Sequence, residues 1–440
     1  MAHATPDSGL PREPIHRLVD PFERFLHVES AGGVVLLVAA VVALALANSP
    51  WSGAFLGFWQ TRVAFAIGGF EMDHSLKHWI NDGLMGIFFF VIGLEVKREL
   101  VLGELRDLRR ALLPLIAAVG GMVVPAGIYL ALQAGEPSAR GWGIPMATDI
   151  AFVVGILALL GSRIPMALRV MLLSLAIADD IGAILVIAIG YTDSLSLAWL
   201  AAGLGAMGLV VLLARLGVRS IGAYVLVGGF VWLGFHESGV HATIAGVLLG
   251  LVTPARSWIG EGTLAELAEN TFSLLRGEGL EGGARQHALR QVETAAREAI
   301  SPLERLETGL HPWVAFLIMP LFALANAGVA LDFGDLTDPV AAAIAAGLVI
   351  GKPLGIVGFS AIAVAFGIAR LPDGVGWGAL IGGSFLAGIG FTMALFIADL
   401  ALTGSALDAA KIGILGASVL AGAIGIAILA RLPLPAASTR

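Results

Sequence analysis

Two aspartates, Asp179 and Asp180, stand side by side in the apolar run LSLAIADDIGAILVI, and one lysine, Lys352, interrupts the equally apolar LVIGKPLGI. A third acid, Asp149, follows Thr148 in GIPMATDIAF, one turn after Pro145. Adjacent carboxylates in a low dielectric repel each other, so such a pair holds either a proton or a hard cation such as sodium. That alternation is the chemistry of cation–proton exchange. Consecutive helical residues differ by about 100° in direction, so the two carboxylates meet one cavity along different lines. The plainer role for them is polar glue between helices, a task usually carried by Ser, Thr or Asn. A buried ammonium needs a counter-ion, and the aspartates are the chemically fitting partners of Lys352. A structural salt bridge would satisfy the same need without transport. Pro145 removes a backbone donor, and helices interrupted at mid-membrane depth expose carbonyls and helix ends that meet ions. Asp149 then lines the site, or is a satisfied acid at a helix break.

The elements that must position these residues are membrane helices. The chain has 440 residues, 58% hydrophobic and only 13% charged, about half the charged share of a soluble protein. Such a composition excludes disorder. The absence of cysteine excludes disulfide frameworks, thiolate zinc sites and thiol catalysis. A net charge of -7 argues against nucleic acid as a partner. A bilayer core needs about 20 mostly apolar residues per helix. Twelve stretches qualify: 30–47, 79–99, 111–133, 142–160, 166–190, 196–214, 221–235, 240–252, 311–328, 338–368, 376–398 and 407–430, the seventh and eighth short enough to be one interrupted pair. At mid-bilayer the four charges would cost on the order of 10–14 kcal/mol if unpaired and dry. They are therefore expected to face a bundle interior or a wet cavity.

With a cytoplasmic N-terminus, 21 of the 26 Lys and Arg fall in cytoplasmic segments and 4 outside, with Lys352 left within a span. That asymmetry follows the positive-inside rule and places both termini in the cytoplasm. Residues 1–29 are a polar cytoplasmic segment without an apolar signal region, so the first span reads as an uncleaved anchor. The membrane domain covers 30–430 and 431–440 is a cytoplasmic tail. The outer segment 48–77 carries Trp51, Phe55, Phe58, Trp59, Phe65 and Phe70, the residues of an interfacial aromatic belt. Residues 256–300 are polar and rich in Arg and Glu, and read as two amphipathic helices, about 263–276 and 284–300, separated by GEGLEGG. They form a solvated cytoplasmic insert or a regulatory surface. A second Gly-rich interruption, GGSFLAGIGF with Gly382, Gly383, Gly388 and Gly390, falls in the eleventh span. Two broken spans in corresponding halves point to an inverted-repeat transporter.

Four further residues are ambiguous from sequence alone. Asp82 is a helix-start acid or part of an outer pathway. Glu95, with Lys97, Arg98 and Glu99, is a solvated helix end or a charged cytoplasmic funnel. His241, in SGVHATIAG, senses pH or is a hydrogen-bonded structural histidine. Glu307, in SPLERLETGLHPW, takes its significance from the resemblance that follows.

The runs INDGLMGIFFFVIGLEVKREL, PMATDIAF, LAIADDIGAI, SGVHATIAG, LHPWVAFLIMPLFALANAG and IGKPLGI resemble the bacterial sodium–proton antiporter NhaA family, in family order from about Asp20 to Ala430. The resemblance implies an all-α membrane protein of about twelve helices with inverted repeats, the fourth and eleventh broken and crossing at mid-membrane. It implies that Asp179 and Asp180 bind the cation (sodium) and protons, with Thr148 and Asp149 at the broken helix and Lys352 paired to the first acid. It links Asp82, Glu95, His241 and Glu307 to the pathway or to pH response. It further implies electrogenic exchange of internal sodium or lithium for external protons across the bacterial inner membrane, activity that responds to pH, no cofactor, lipid surroundings, and a homodimer held partly by a β-hairpin within 48–77. Two departures stand out. The 256–300 insert lengthens the linker before the ninth span, and Glu304 and Thr308 replace the family's Lys and His while Arg305, Glu307 and His311 are retained.

Two other function classes use buried acids. An intramembrane aspartyl protease needs them on facing helices, whereas these are consecutive on one, and it leaves Lys352 idle. A passive cation channel favours rings of acids or carbonyls along an open pore, which a buried lysine obstructs.

Overall fold

The computed structural model describes residues 29–68, 70–192, 195–218, 220–276, 282–330 and 337–432. Residues 1–28 of the expected N-terminal segment, 277–281 of the GEGLEGG linker and 433–440 of the expected tail lie outside the described residues. In a bilayer every backbone donor must close within its own segment, and the apolar runs accordingly fold as helices. Among the described residues, eight helices are long and apolar enough to cross a membrane, or nine with the bent pair Trp377–Ala387 and Phe391–Ala401 counted as one span. Ala31–Ala47 and Ala242–Val252 are shorter apolar helices. Twelve full-length spans are therefore not seen as such. The seventh stretch forms Ile221–Ser238, whose last turn, His236, Glu237 and Ser238, is polar. The ninth begins earlier than expected, at Pro302, where Ser301 and Glu304 form a reciprocal capping box. Glu304, which with Thr308 makes the second departure noted above, thus closes a helix start.

Two devices shape the bundle around the buried charges. The first is close approach through glycine. Helix Lys352–Ala365 lies against Leu108–Leu132, and a Cβ on Gly355 would sit 2.0 Å from the carbonyl oxygen of Gly120. Only glycine fits there. The second is the π turn. Gly347–Gly351 and Val314–Ile318 are single π turns, each ending two residues before a proline, Pro353 and Pro320. Proline lacks the donor for the carbonyl four residues back and its ring collides with it, and the widened turn relieves that collision.

The outer segment contains a short helix, Ser52–Trp59, and a two-stranded antiparallel hairpin, β1 (Arg62–Ile67) and β2 (Phe70–Ser75). Gly68, at φ +63°, makes its turn. Trp79 ties the hairpin down by donating from Nε1 to the Val63 carbonyl at 3.0 Å. The polar linker region forms two amphipathic helices, Glu261–Arg276 and Gly282–Ala299, packed on each other.

Candidate functional site

The site is built where two interrupted spans cross. In the first, a 3-10 segment Pro137–Met146 ends, Ala147, Thr148 and Asp149 run extended, and helix Ile150–Leu160 begins. In the second, Trp377–Ala387 ends, Gly388 to Gly390 intervene, and Phe391–Ala401 begins at an angle of 44°. The crossing leaves no room for a side chain at Gly388, where a Cβ would come within 2.5 Å of the Leu348 carbonyl oxygen.

A broken helix exposes unpaired N–H groups at one end and carbonyls at the other, with partial charges of about half a unit. Each of these ends finds a partner here. Asp149 accepts from Phe152 N at 3.3 Å and so caps its own half-helix. Its other oxygen accepts from the backbone N–H and the hydroxyl of Thr392, at the start of the opposite half-helix. One carboxylate therefore neutralises two helix N-termini, and Asp149 N donates across to Ile389 O at 2.7 Å. At the carbonyl ends, Lys352 Nζ donates to Met146 O and Thr148 Oγ1 lies 2.8 Å from Ala387 O. Asp149 is thereby fully engaged in joining the two breaks.

Asp179 and Asp180 sit near the middle of helix Met166–Gly190, only 1% and 3% exposed. Asp179 faces the crossing. Its Oδ2 is 2.5 Å from the fully buried Lys352 ammonium and 2.6 Å from Thr148 Oγ1. Thr148 has one hydroxyl proton for two acceptors, Asp179 and Ala387 O. It can satisfy both only when Asp179 itself carries a proton to give back. Asp179 Oδ1 is buried with no hydrogen-bond partner among the described residues. Asp180 makes no hydrogen bond or ion pair among the described residues, yet lies within electrostatic reach of Asp179, Glu95, Asp149 and Lys352. The geometry thus brings Thr148, Asp149, Asp179, Asp180 and Lys352 together and leaves an unused carboxylate oxygen beside a second carboxylate.

The outlying candidates fall at two ends. Glu95 shares its helix with Arg98, which pairs with Glu307, and Glu95 is in electrostatic reach of Glu307. A cavity of about 870 Å³ opens beside them, lined by Glu99, Arg106, Asp107, Arg109 and Arg110. Its inner residue is Ser174, about 7.5 Å along the helix from Asp179 at 1.5 Å per residue. Neither aspartate is among the residues that line it. At the other end, Asp82 lies in a π turn, Ile80–Leu84, with His236 Nδ1 at 3.2 Å and His78 Nε2 at 3.4 Å from its Oδ2. His241 precedes helix Ala242–Val252 and is in electrostatic reach of Asp82. In the hairpin, burial and the neighbouring imidazoles of His78 and His236 hold His74 below the usual histidine range.

One network was not anticipated from sequence. Lys77 pairs with Asp399, Asn81 Nδ2 donates to Asp399 Oδ2 at 2.7 Å, and Asn81 and Asn326 exchange amide hydrogen bonds at 2.8 and 3.2 Å. Lys411 lies buried in helix Ser405–Ala430 within reach of Asp399. The signal was present in Asp399 of FIADL and in the two asparagines, polar residues in apolar runs.

Residues 23–429 match the family described as Na+/H+ antiporter 1. The chain is 54% identical over 430 residues to the Na(+)/H(+) antiporter NhaA of Rhodopirellula baltica, covering 98% of each chain. It is 52% identical over 431 residues to the Na(+)/H(+) antiporter NhaA of Rhizobium meliloti, covering 97% of this chain and 98% of that one. With NhaA 2 of Acidiphilium cryptum the identity is 51% over 435 residues, 98% and 96% of the two chains. The sodium proton antiporter MjNhaP1 of Methanocaldococcus jannaschii is a distant likeness, with 11% identity and a TM-score of 0.47, covering 94% of this chain and 95% of that one.

Proposed function

The chain belongs to the Na+/H+ antiporter 1 family, and on that premise we propose that it exports sodium or lithium across the bacterial inner membrane in exchange for external protons, at the Asp179–Asp180 pair. The observation that carries this reading is the buried Asp179 Oδ1, without a partner, next to a second buried carboxylate. Carboxylate and hydroxyl oxygens are the donors a hard monovalent cation takes up, and both carboxylates must be free of protons to offer them. Lys352 offsets one of the two negative charges, which leaves the ionised site with a net charge that one sodium ion balances. Releasing two protons for each cation bound makes the cycle electrogenic and makes activity fall as protons occupy the pair. Thr148 reports the protonation of Asp179 to the Ala387 carbonyl, through its single hydroxyl proton. Asp149 holds the two breaks to each other, so the crossing moves as one body when the cavity changes sides.

The basic cavity that ends at Ser174 opens to the cytoplasm, in keeping with the distribution of Lys and Arg, and both termini lie on that side. Glu95 and the Arg98–Glu307 pair then adjust entry with pH, and Asp82 and His241 belong to the outer route. The hairpin is the contact of a homodimer. The test is exchange in sealed vesicles. Wild-type protein gives a sodium-driven pH change, and Asp179→Asn and Asp180→Asn, which keep size and polarity, abolish it while the protein still inserts. Appreciable coupled exchange in either variant rejects the assignment, and uncoupled sodium flux in the wild type would mean a channel.

A further inference from the structure

His74 lies on strand β2, His78 on the following turn Leu76–Trp79, and His236 in the last turn of helix Ile221–Ser238. These three elements bring one nitrogen from each imidazole to within 4.8 Å of the others. The rings crowd one another: His74 stacks on His78 at 4.2 Å, and His236 stands edge-on to both at 5.4 and 5.8 Å. Three imidazole nitrogens this close offer the donors of a single cation. The cluster takes no part in the exchange chemistry at Asp179 and Asp180.

The surroundings are those of a ligand sphere. Asp82 Oδ2 lies 3.2 Å from His236 Nδ1, the carboxylate–histidine arrangement that fixes a ligating ring and its tautomer. Trp232 stacks on His236 at 5.1 Å, nearly parallel, and donates from Nε1 to the Asp82 carbonyl at 3.1 Å. The ring and its orienting acid are therefore held by one side chain. A cavity of about 600 Å³ adjoins His74 and His236 and is rimmed by Glu71, Asp73 and Glu237. It supplies an entry path whose acidic rim concentrates cations.

We propose that His74, His78 and His236 form a binding site for a divalent transition-metal ion of the zinc class, with Asp82 as the carboxylate that orients His236. Imidazole donors without thiolate suit zinc, copper or nickel, and exclude the oxygen-seeking magnesium and calcium. Tetrahedral Zn–N bonds of about 2.0–2.1 Å set neighbouring nitrogens about 3.4 Å apart. The present spacing, within 4.8 Å, closes by rotation of the His78 ring, whose side chain is 40% exposed, toward the His236 ring that Trp232 and Asp82 hold in place. Three histidines leave a fourth position for water. An occupied site pins the hairpin to the helix that carries Asp82 and to the end of Ile221–Ser238.

The test is calorimetric titration of Zn2+ into full-length, tag-free protein in detergent after removal of metal with a chelator. The expected result is one ion per chain, not displaced by Mg2+ at the same concentration. Asp82→Asn weakens binding by about 10–100-fold, and His74→Ala and His236→Ala weaken it further. Zn2+ raises the melting temperature of the wild type and leaves that of His74→Ala unmoved. His74→Ala alters only the hairpin, and its melting temperature without metal shows whether it is folded. His74→Gln, loaded with Co2+, provides a second reading through loss of the visible absorption of a nitrogen-rich tetrahedral site. Absence of saturable binding overturns the proposal, as does binding that survives both histidine variants. Equal displacement by Mg2+ would assign the ion to the carboxylate rim instead and reject the imidazole site.

Discussion

Replacing Lys352 with Gln removes the one positive charge at the crossing while keeping a side chain that can still donate a hydrogen bond. Lys352 is fully buried, Asp179 is 1% exposed, and they are 2.5 Å apart. Removing one partner of such a pair strands the other charge in low dielectric, at a cost of about 3–5 kcal/mol. The cost is largest at alkaline pH. At acid pH Asp179 takes a proton, no bare charge remains, and the loss shrinks to that of ordinary hydrogen bonds, about 1 kcal/mol. Unfolding in mixed micelles across a pH series measures both limits. Adding Asp179→Asn removes the stranded charge, so the double variant should be no less stable than Lys352→Gln alone. In reconstituted vesicles, Lys352→Gln retains some exchange that still responds to an imposed membrane potential, because the lysine serves as counter-ion. A loss under about 1 kcal/mol at alkaline pH, or additive effects of the two substitutions, would refute the electrostatic reasoning. Exchange that has become electroneutral would mean that Lys352 carries a proton itself.

Gly355→Leu forces a side chain against the Gly120 carbonyl oxygen. It should cost about 1–3 kcal/mol and lower exchange by displacing Lys352, as melting and vesicle transport will show; unchanged values in both would contradict the packing argument. Replacing 260–298 with a short Gly/Ser linker should preserve maximal exchange and alter only its regulation. Among the described residues, no buried charge of the crossing pairs with that segment, so complete loss of activity in a correctly inserted deletion would be evidence against this.

Sequence reasoning reaches the buried charges because a charge in an apolar run is conspicuous wherever its partner lies. Asp179, Asp180 and Lys352 stand out on this ground, and Pro145 and the glycines around Gly388 mark the breaks. Pairing across elements is another matter. Nothing local to Asp149 indicates that it caps a half-helix begun by Thr392, 243 residues away, because a carboxylate shows its acceptor capacity and not its donors. The same limit hides the Asp399–Lys77–Asn81–Asn326 network and the meeting of His74 and His78 with His236. The count of spans escapes hydropathy for a different reason. Hydropathy registers composition, while interrupted helices are defined by backbone geometry, and Ala147 to Asp149 run extended inside a stretch as apolar as a continuous helix.

The central claim is that sodium and protons compete for the Asp179–Asp180 pair. Sodium binding to the purified protein, followed by calorimetry in buffers of different ionisation enthalpy at several pH values, tests it directly. The account predicts that binding releases protons and that sodium affinity weakens steeply as pH falls below neutrality, with neither signal in Asp179→Asn or Asp180→Asn. A sodium affinity independent of pH, with no proton released, would place the two ions at separate sites and contradict it.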